Sequence, residues 1–206
     1  MDYSRFKKLP IMGILRTSGE VCMEDLVESI VASGLETIEI AMNSDSADAL
    51  IARAVKTANA RLAIGAGTVL NLDTLKMALD SGATFIVMPT LIEEVVEYCV
   101  RHVIPVFPGA MSPREIYNAW GSGATMVKVF PSSVLGPSYI KEIKGPFNNI
   151  ELLACGGVNT GNIKDYFNSG ASAVAFGGSI FRDDWIHAKK FLEIENGIRN
   201  LIANAK

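Results

Sequence analysis

An α/β fold is predicted for this 206-residue chain, as a single-domain (β/α)8 barrel of the TIM type, and three features of the sequence predict it. Eight short apolar runs have the length of strands, the stretches between them switch to helical periodicity, and a Ser-Gly pair recurs ahead of every second run.

The runs are Ile11 to Leu15, Thr37 to Met42, Leu62 to Ala66, Phe85 to Pro89, Ile104 to Pro108, Met126 to Phe130, Ile150 to Cys155 and Ala173 to Gly177. After the first, Met23, Leu26, Val27, Ile30 and Val31 fall at i, i+3, i+4, i+7 and i+8, which is one face of a helix. Ala47, Leu50, Ile51, Ala54, Val55 and Ala58 repeat the pattern after the second run, and Ile92, Val95, Val96, Cys99 and Val100 after the fourth. Ser112-Pro113-Arg114-Glu115 reads as a capping box with proline at the first helical position, so a helix starts there. A last helix is expected from about Asp184 to Asn204.

Parallel neighbours need a connection long enough to cross the sheet face, so strands alternating with helices predict a parallel sheet. An open doubly wound sheet competes with a closed barrel, and the repeat favours closure. Ser33-Gly34, Ser81-Gly82, Ser122-Gly123 and Ser169-Gly170 each end a helix, where glycine accepts the left-handed conformation, and precede the second, fourth, sixth and eighth runs. Their spacings of 48, 41 and 47 residues each span two strand-helix units, so the even strands hold equivalent places, as a barrel's approximate symmetry requires. No linker interrupts residues 1–206.

Successive strand residues point to opposite faces. Ile38, Ile86, Val127 and Val174, four residues after each glycine, are branched and apolar and suit the face under the outer helices. The next residues, Glu39, Val87, Lys128 and Ala175, therefore point to the axis, where alternate strands contribute to one shared layer. One carboxyl and one amine meet in that layer beside two small neighbours that leave room for a ligand.

Composition narrows the function. With 49% apolar and 20% charged residues the chain is ordinary globular protein. A net charge of -3 without any Lys/Arg block argues against nucleic acid as a partner. The longest uncharged stretch, Tyr166 to Phe181, is shorter than the roughly 20 apolar residues of a membrane span, so no membrane association is expected. The start, MDYSRFKK, lacks the apolar segment of a secretory signal, and Cys22, Cys99 and Cys155 are scattered, which points to a reducing cytoplasm. No cluster of His, Asp or Glu stands at the strand ends, so neither a metal nor another cofactor is expected. His102 and His187 are expected far from the active face, Trp120 and Trp185 as packing anchors, and Cys155 as a small packing residue rather than a nucleophile.

A lone buried ammonium is costly, so Lys128 must pair with Glu39, shed its proton, or both. One outcome is a structural ion pair across the barrel. In another, the free amine attacks a carbonyl and forms a Schiff base whose iminium draws electrons from a neighbouring carbon–carbon bond, while Glu39 carries the protons. A phosphate-binding isomerase or synthase that makes no imine, and a non-catalytic sugar-phosphate binder, also fit the layer. Anchors for an anionic substrate are available where barrel sites form, at the carboxyl ends of the strands. Arg16 ends the first strand, and Gly65 to Thr68 end the third. Gly156-Gly157 and Gly177-Gly178-Ser179 follow the seventh and eighth, the loops that commonly hold phosphate, where following helix N-termini are expected to add partial positive charge.

In order and over nearly the whole chain, GILR at 13–16, IEI with Glu39, IGAGTVL at 64–70, FIV before Met88-Pro89, FPGAMSP at 107–113, VKVFP with Lys128, CGGV at 155–158 and FGGS at 176–179 resemble the 2-keto-3-deoxy-6-phosphogluconate (KDPG) and 4-hydroxy-2-oxoglutarate aldolase family. The resemblance implies a class I aldolase that cleaves a 2-keto-3-deoxy-6-phospho sugar acid to pyruvate and glyceraldehyde 3-phosphate, often acts on 4-hydroxy-2-oxoglutarate too, and assembles as a homotrimer. It implies Lys128 as the Schiff-base residue and Glu39 as the proton shuttle. Arg16, Thr68 and Pro89 match positions at the pyruvyl and carboxylate end, Phe130 a wall, and Gly156, Gly157, Gly178 and Ser179 the phosphate site. Asn43, Cys155 and Met88-Pro89-Thr90 depart from the pattern of many members, whereas Asn43-Ser44 and Phe130 to Lys141 look more like the branch acting on the C4 epimer, the phosphogalactonate.

Overall fold

The computed structural model describes residues 1–205. In chain order the elements are α1 (Tyr3–Lys8), β1 (Ile11–Leu15), α2 (Met23–Ser33), β2 (Thr37–Ala41), α3 (Ala47–Ala58), β3 (Ala63–Gly67), α4 (Leu72–Asp80), β4 (Ile86–Val87) and α5 (Glu93–Arg101). There follow β5 (Val106–Phe107), β6 (Gly109–Ala110), α6 (Pro113–Gly121), β7 (Val127–Val129), α7 (Ser132–Lys144), β8 (Leu152–Cys155), α8 (Ile163–Asn168), β9 (Ala173–Phe176), α9 (Asp183–His187) and α10 (Phe191–Asn204). Every strand pairing is parallel, in the order β5-β4-β3-β2-β1-β9-β8-β7-β6.

Among the described residues nine strands appear where eight runs are predicted, because the fifth continues past Pro108, its expected end, and Pro108 splits it in two. Proline has no N–H to give a ladder, so β5 bonds β4 on one side of it and β6 bonds β7 on the other. The Pro108 carbonyl still accepts from the Lys128 N–H at 2.9 Å, and residues 106–110 act as one strand that closes the barrel.

The four Ser-Gly pairs behave as read: Gly34, Gly82, Gly123 and Gly170 have φ of 86°, 96°, 98° and 94°. The capping box also forms, with Ser112 Oγ accepting from the Glu115 N–H and the Glu115 carboxylate accepting from the Ser112 N–H at 2.7 Å. One expectation fails at the carboxyl end. The predicted helix over 184–204 is two helices, α9 and α10, because Lys189 adopts a left-handed φ of 53° and the Lys190 N–H bonds back to the Trp185 carbonyl at 2.8 Å. Among the described residues no helix is long and apolar enough to cross a membrane.

Burial separates the two strand faces. Ile38, Ile86, Val127 and Val174 belong to the large core between sheet and helices. Val87 and Ala175 belong to a separate core inside the barrel, with Phe6, Met12, Phe85, Phe107, Met126 and Leu153. Phe6 comes from α1, a helix without sequence periodicity, capped by the Asp2 side chain on the Arg5 N–H. Its ring stands edge-on to Phe107 at 6.1 Å, and Phe107 edge-on to Phe85 at 5.9 Å, which fills the amino-terminal end of the barrel.

Candidate active site

Glu39 on β2 and Lys128 on β7 both point into the barrel and are 2% and 6% exposed. Their inward direction follows from the alternation along each strand, since Ile38 and Val127 take the outer face. No ion pair within 4.0 Å joins them, and Glu39 Oε2 has no hydrogen-bond partner among the described residues. A closed structural salt bridge is therefore not what holds this carboxyl in place. Burial raises the Glu39 pKa, and the charges of Lys128 and Arg16 pull it part of the way back.

What gives Glu39 its room is a missing side chain. A Cβ on Gly67, at the end of β3, would lie 2.5 Å from Glu39 Oε1, so only glycine leaves the carboxyl its space. Gly109 does the same for Pro89, whose carbonyl oxygen would lie 2.1 Å from an added Cβ. Thr68 follows Gly67 with φ of 58°, a left-handed conformation that a β-branched residue rarely holds. Lys128 Nζ lies 5.1 Å from the centre of the Phe130 ring, so an aromatic face supports the ammonium where no carboxylate touches it.

Above this layer opens a cavity of about 780 Å3 lined by Arg16, Glu39, Thr68, Pro89, Lys128, Phe130, Gly156, Gly157 and Gly178. Nine of the ten residues expected at the site thus meet in one chamber. The tenth, Ser179, is not among the lining residues, and its hydroxyl donates to the Val158 carbonyl at 3.1 Å, which ties the loop after β9 to the loop after β8. Gly177 lines the wall beside Gly178. Arg16 forms no ion pair among the described residues, and its Nε donates to Asn43 Oδ1 at 3.2 Å, which leaves the outer fork for an anion. Cys155 is buried in the wall, its thiol pushed up to about 11 by burial, so it stays protonated and packs.

The two glycine-rich loops lie where expected, but the short helices that follow them begin well downstream, α8 at Ile163 and α9 at Asp183. The helix start that abuts Gly156-Gly157 is that of α7: a Cβ on Gly157 would lie 2.6 Å from Ser133 Cβ, and one on Gly156 3.4 Å from the Ser132 N. His102 ends α5 and stacks on Tyr98. His187 departs from expectation, since its Nε2 lies 3.8 Å from Asp183 Oδ1 and Asp183 lines the cavity. The sequence reading also misses Thr17, Ser18, Arg182, Asp183 and Asp184 in the cavity rim. Thr17 Oγ1 donates to Asp183 Oδ1 at 3.0 Å and the Gly19 N–H to Asp45 Oδ2 at 2.9 Å, so the loop after β1 is fastened to its neighbours on both sides. The one available signal was position, just past the ends of the first and last strands.

The geometry can be set beside known proteins. The family model for KDPG and KHG aldolase matches residues 3–196. The 2-dehydro-3-deoxy-6-phosphogalactonate aldolase of Escherichia coli K12 is 32% identical over 178 residues, covering 85% of this chain and 86% of that protein. The 2-dehydro-3-deoxy-phosphogluconate aldolase of Haemophilus influenzae is 30% identical over 193 residues, covering 93% and 88%. Among solved structures, native KDPGal superposes with a TM-score of 0.86 at 28% identity, covering 96% of this chain and 94% of that one.

Proposed function

We infer the reaction from this premise: the chain belongs to the KDPG and KHG aldolase family. It is accordingly an aldolase, a carbon–carbon lyase, and the chemistry assigned to its residues below is our proposal.

Lys128 attacks the C2 ketone of a 2-keto-3-deoxy-6-phospho sugar acid, of gluconate or galactonate type. The carbinolamine loses water as Glu39 gives it a proton, which leaves an iminium on Lys128 and a carboxylate at Glu39. The Glu39 pKa, raised by burial, suits it to hold that proton above the ordinary carboxylate range. Glu39 then takes the proton of the C4 hydroxyl as the C3–C4 bond breaks; glyceraldehyde 3-phosphate departs and the bonding pair remains as an enamine on the Lys128 nitrogen. Protonation at C3 and hydrolysis of the imine release pyruvate and restore the amine. The same steps on 4-hydroxy-2-oxoglutarate give pyruvate and glyoxylate.

Arg16 and Thr68 take the substrate carboxylate, Pro89 and Phe130 wall the pyruvyl group, and Gly156, Gly157 and Gly178 bring backbone to the phosphate, with Ser179 fixing the loop. The single observation that carries this reading is the inward pair itself, an amine and an unpartnered carboxyl in one layer beneath an open chamber. An imine-free isomerase would need neither the chamber's depth at Lys128 nor a covalent adduct there. Pyruvate with borohydride should add a stable mass to Lys128; an unlabelled chain, or a label elsewhere, overturns the reading.

The working form we infer is a homotrimer in the cytoplasm. Val100 and Tyr117, both exposed, line one groove between α5 and α6 and offer apolar surface for such contacts. Sedimentation at three times the chain mass, and recovery of the activity in the cytoplasmic fraction, are the expected results.

A further inference from the structure

Among the described residues three cationic side chains line the cavity, and the mechanism employs two of them, Lys128 and Arg16. The third, Arg182, lies just past β9, in the loop that carries Gly177 and Gly178. Its Nε and Nη2 donate to the two oxygens of Asp184, each at 3.0 Å, and its guanidinium carbon lies 5.1 Å from the centre of the Trp185 ring. The side chains of this pair are 50% and 62% exposed, so water screens the attraction and little holds the pair shut. Gly178, which lines the same cavity, faces open space, for a Cβ there would meet nothing within 4 Å.

We propose that Arg182 is the residue that selects a phosphorylated substrate, leaving Asp184 to bind the phosphate when it enters the cavity. This rests on the aldolase assignment above. The guanidinium fork fits phosphate oxygens as well as it fits a carboxylate, and a phosphate dianion carries more charge than Asp184, so the exchange runs toward the ligand. A neutral hydroxyl at the same place offers no charge and leaves Arg182 on Asp184. Asp184 thus sets a threshold that phosphate passes and an unphosphorylated chain end does not.

The test runs the aldol reaction in the synthetic direction, with saturating pyruvate and either glyceraldehyde 3-phosphate or glyceraldehyde as acceptor. In Arg182→Ala the ratio of kcat/KM for the two acceptors should fall by about tenfold or more, through KM of the phosphorylated one. Arg182→Lys, which keeps the charge without the fork, should fall between. Asp184→Asn should lower KM for the phosphorylated acceptor. Borohydride trapping of pyruvate on Lys128 in each variant reports a folded site. An adduct with an unchanged ratio in Arg182→Ala overturns the role of Arg182 and leaves the aldolase intact. Loss of preference in Asp184→Asn as large as in Arg182→Ala makes the pair a structural brace and also overturns it. No adduct in the parent chain removes the premise instead.

Discussion

Toward the amino ends of the strands the barrel interior is filled by the rings of Phe6, Phe85 and Phe107, whereas toward the carboxyl ends Gly67, Gly109, Gly156, Gly157 and Gly178 hold side-chain volume out of it. Glu39 and Lys128 lie between these regions. The contrast teaches how one barrel is both packed and open: bulk below keeps water from the buried carboxyl, and missing bulk above makes the chamber. Each half can be challenged by moving volume across the boundary or by altering the layer itself.

The largest effect on turnover, after loss of the amine, is expected from Glu39→Gln. The amide that replaces the carboxyl cannot cycle a proton, so kcat should fall by about 100- to 10,000-fold while pyruvate still labels Lys128 slowly. Stability should move the other way. The Glu39 pKa is higher folded than unfolded, so the native state binds the extra proton and the parent loses stability as pH rises from the ordinary carboxylate range through the raised value. The amide has no such proton to lose, so melting curves should show the variant gaining on the parent as pH increases, with the gain vanishing in acid. A variant less stable at neutral pH than in acid, relative to the parent, would mean that the Glu39 charge is welcome where it sits.

Next comes Gly67→Ala. Its Cβ would occupy the place of Glu39 Oε1, at 2.5 Å, and a displacement of about 1 Å at a reacting group is enough to cost about 100-fold in rate. Steady-state kinetics should show that loss in kcat, with Lys128 still labelled. Unaltered kcat would show that the carboxyl tolerates another position.

Much of this layout was legible in residue order, and the exceptions have physical causes. The Ser-Gly pairs marked helix ends because a left-handed φ of about 90° needs glycine, and counting from them gave the strand phase that turned Glu39 and Lys128 inward. Lys189 takes a left-handed φ without being glycine, so the break between α9 and α10 left no trace in composition. Gly67 reads only as part of the strand end Gly65 to Thr68, because its constraint comes from Glu39, 28 positions earlier, across a strand pair. Asp184 reads only as the start of the last helix and Arg182 carries no reading; their place on the cavity rim depends on where the loop after β9 runs, which no periodicity encodes.

The smallest effect on turnover should come from the packed half. Phe6→Ala removes a buried ring that stands edge-on to Phe107 at the packed end of the barrel and does not line the chamber. Deleting such a side chain costs about 3–5 kcal/mol of stability, which in a domain of this size lowers Tm by roughly 6 to 20 °C. Calorimetry should show that drop, while kcat/KM measured well below the transition stays within a few-fold of the parent. The two halves would then be separable, one supplying stability and the other access. A turnover loss as deep as that of Gly67→Ala would instead mean that the floor sets the position of the Glu39 carboxyl through Phe107 and Phe85, whose ring abuts Gly65, the register partner of Glu39.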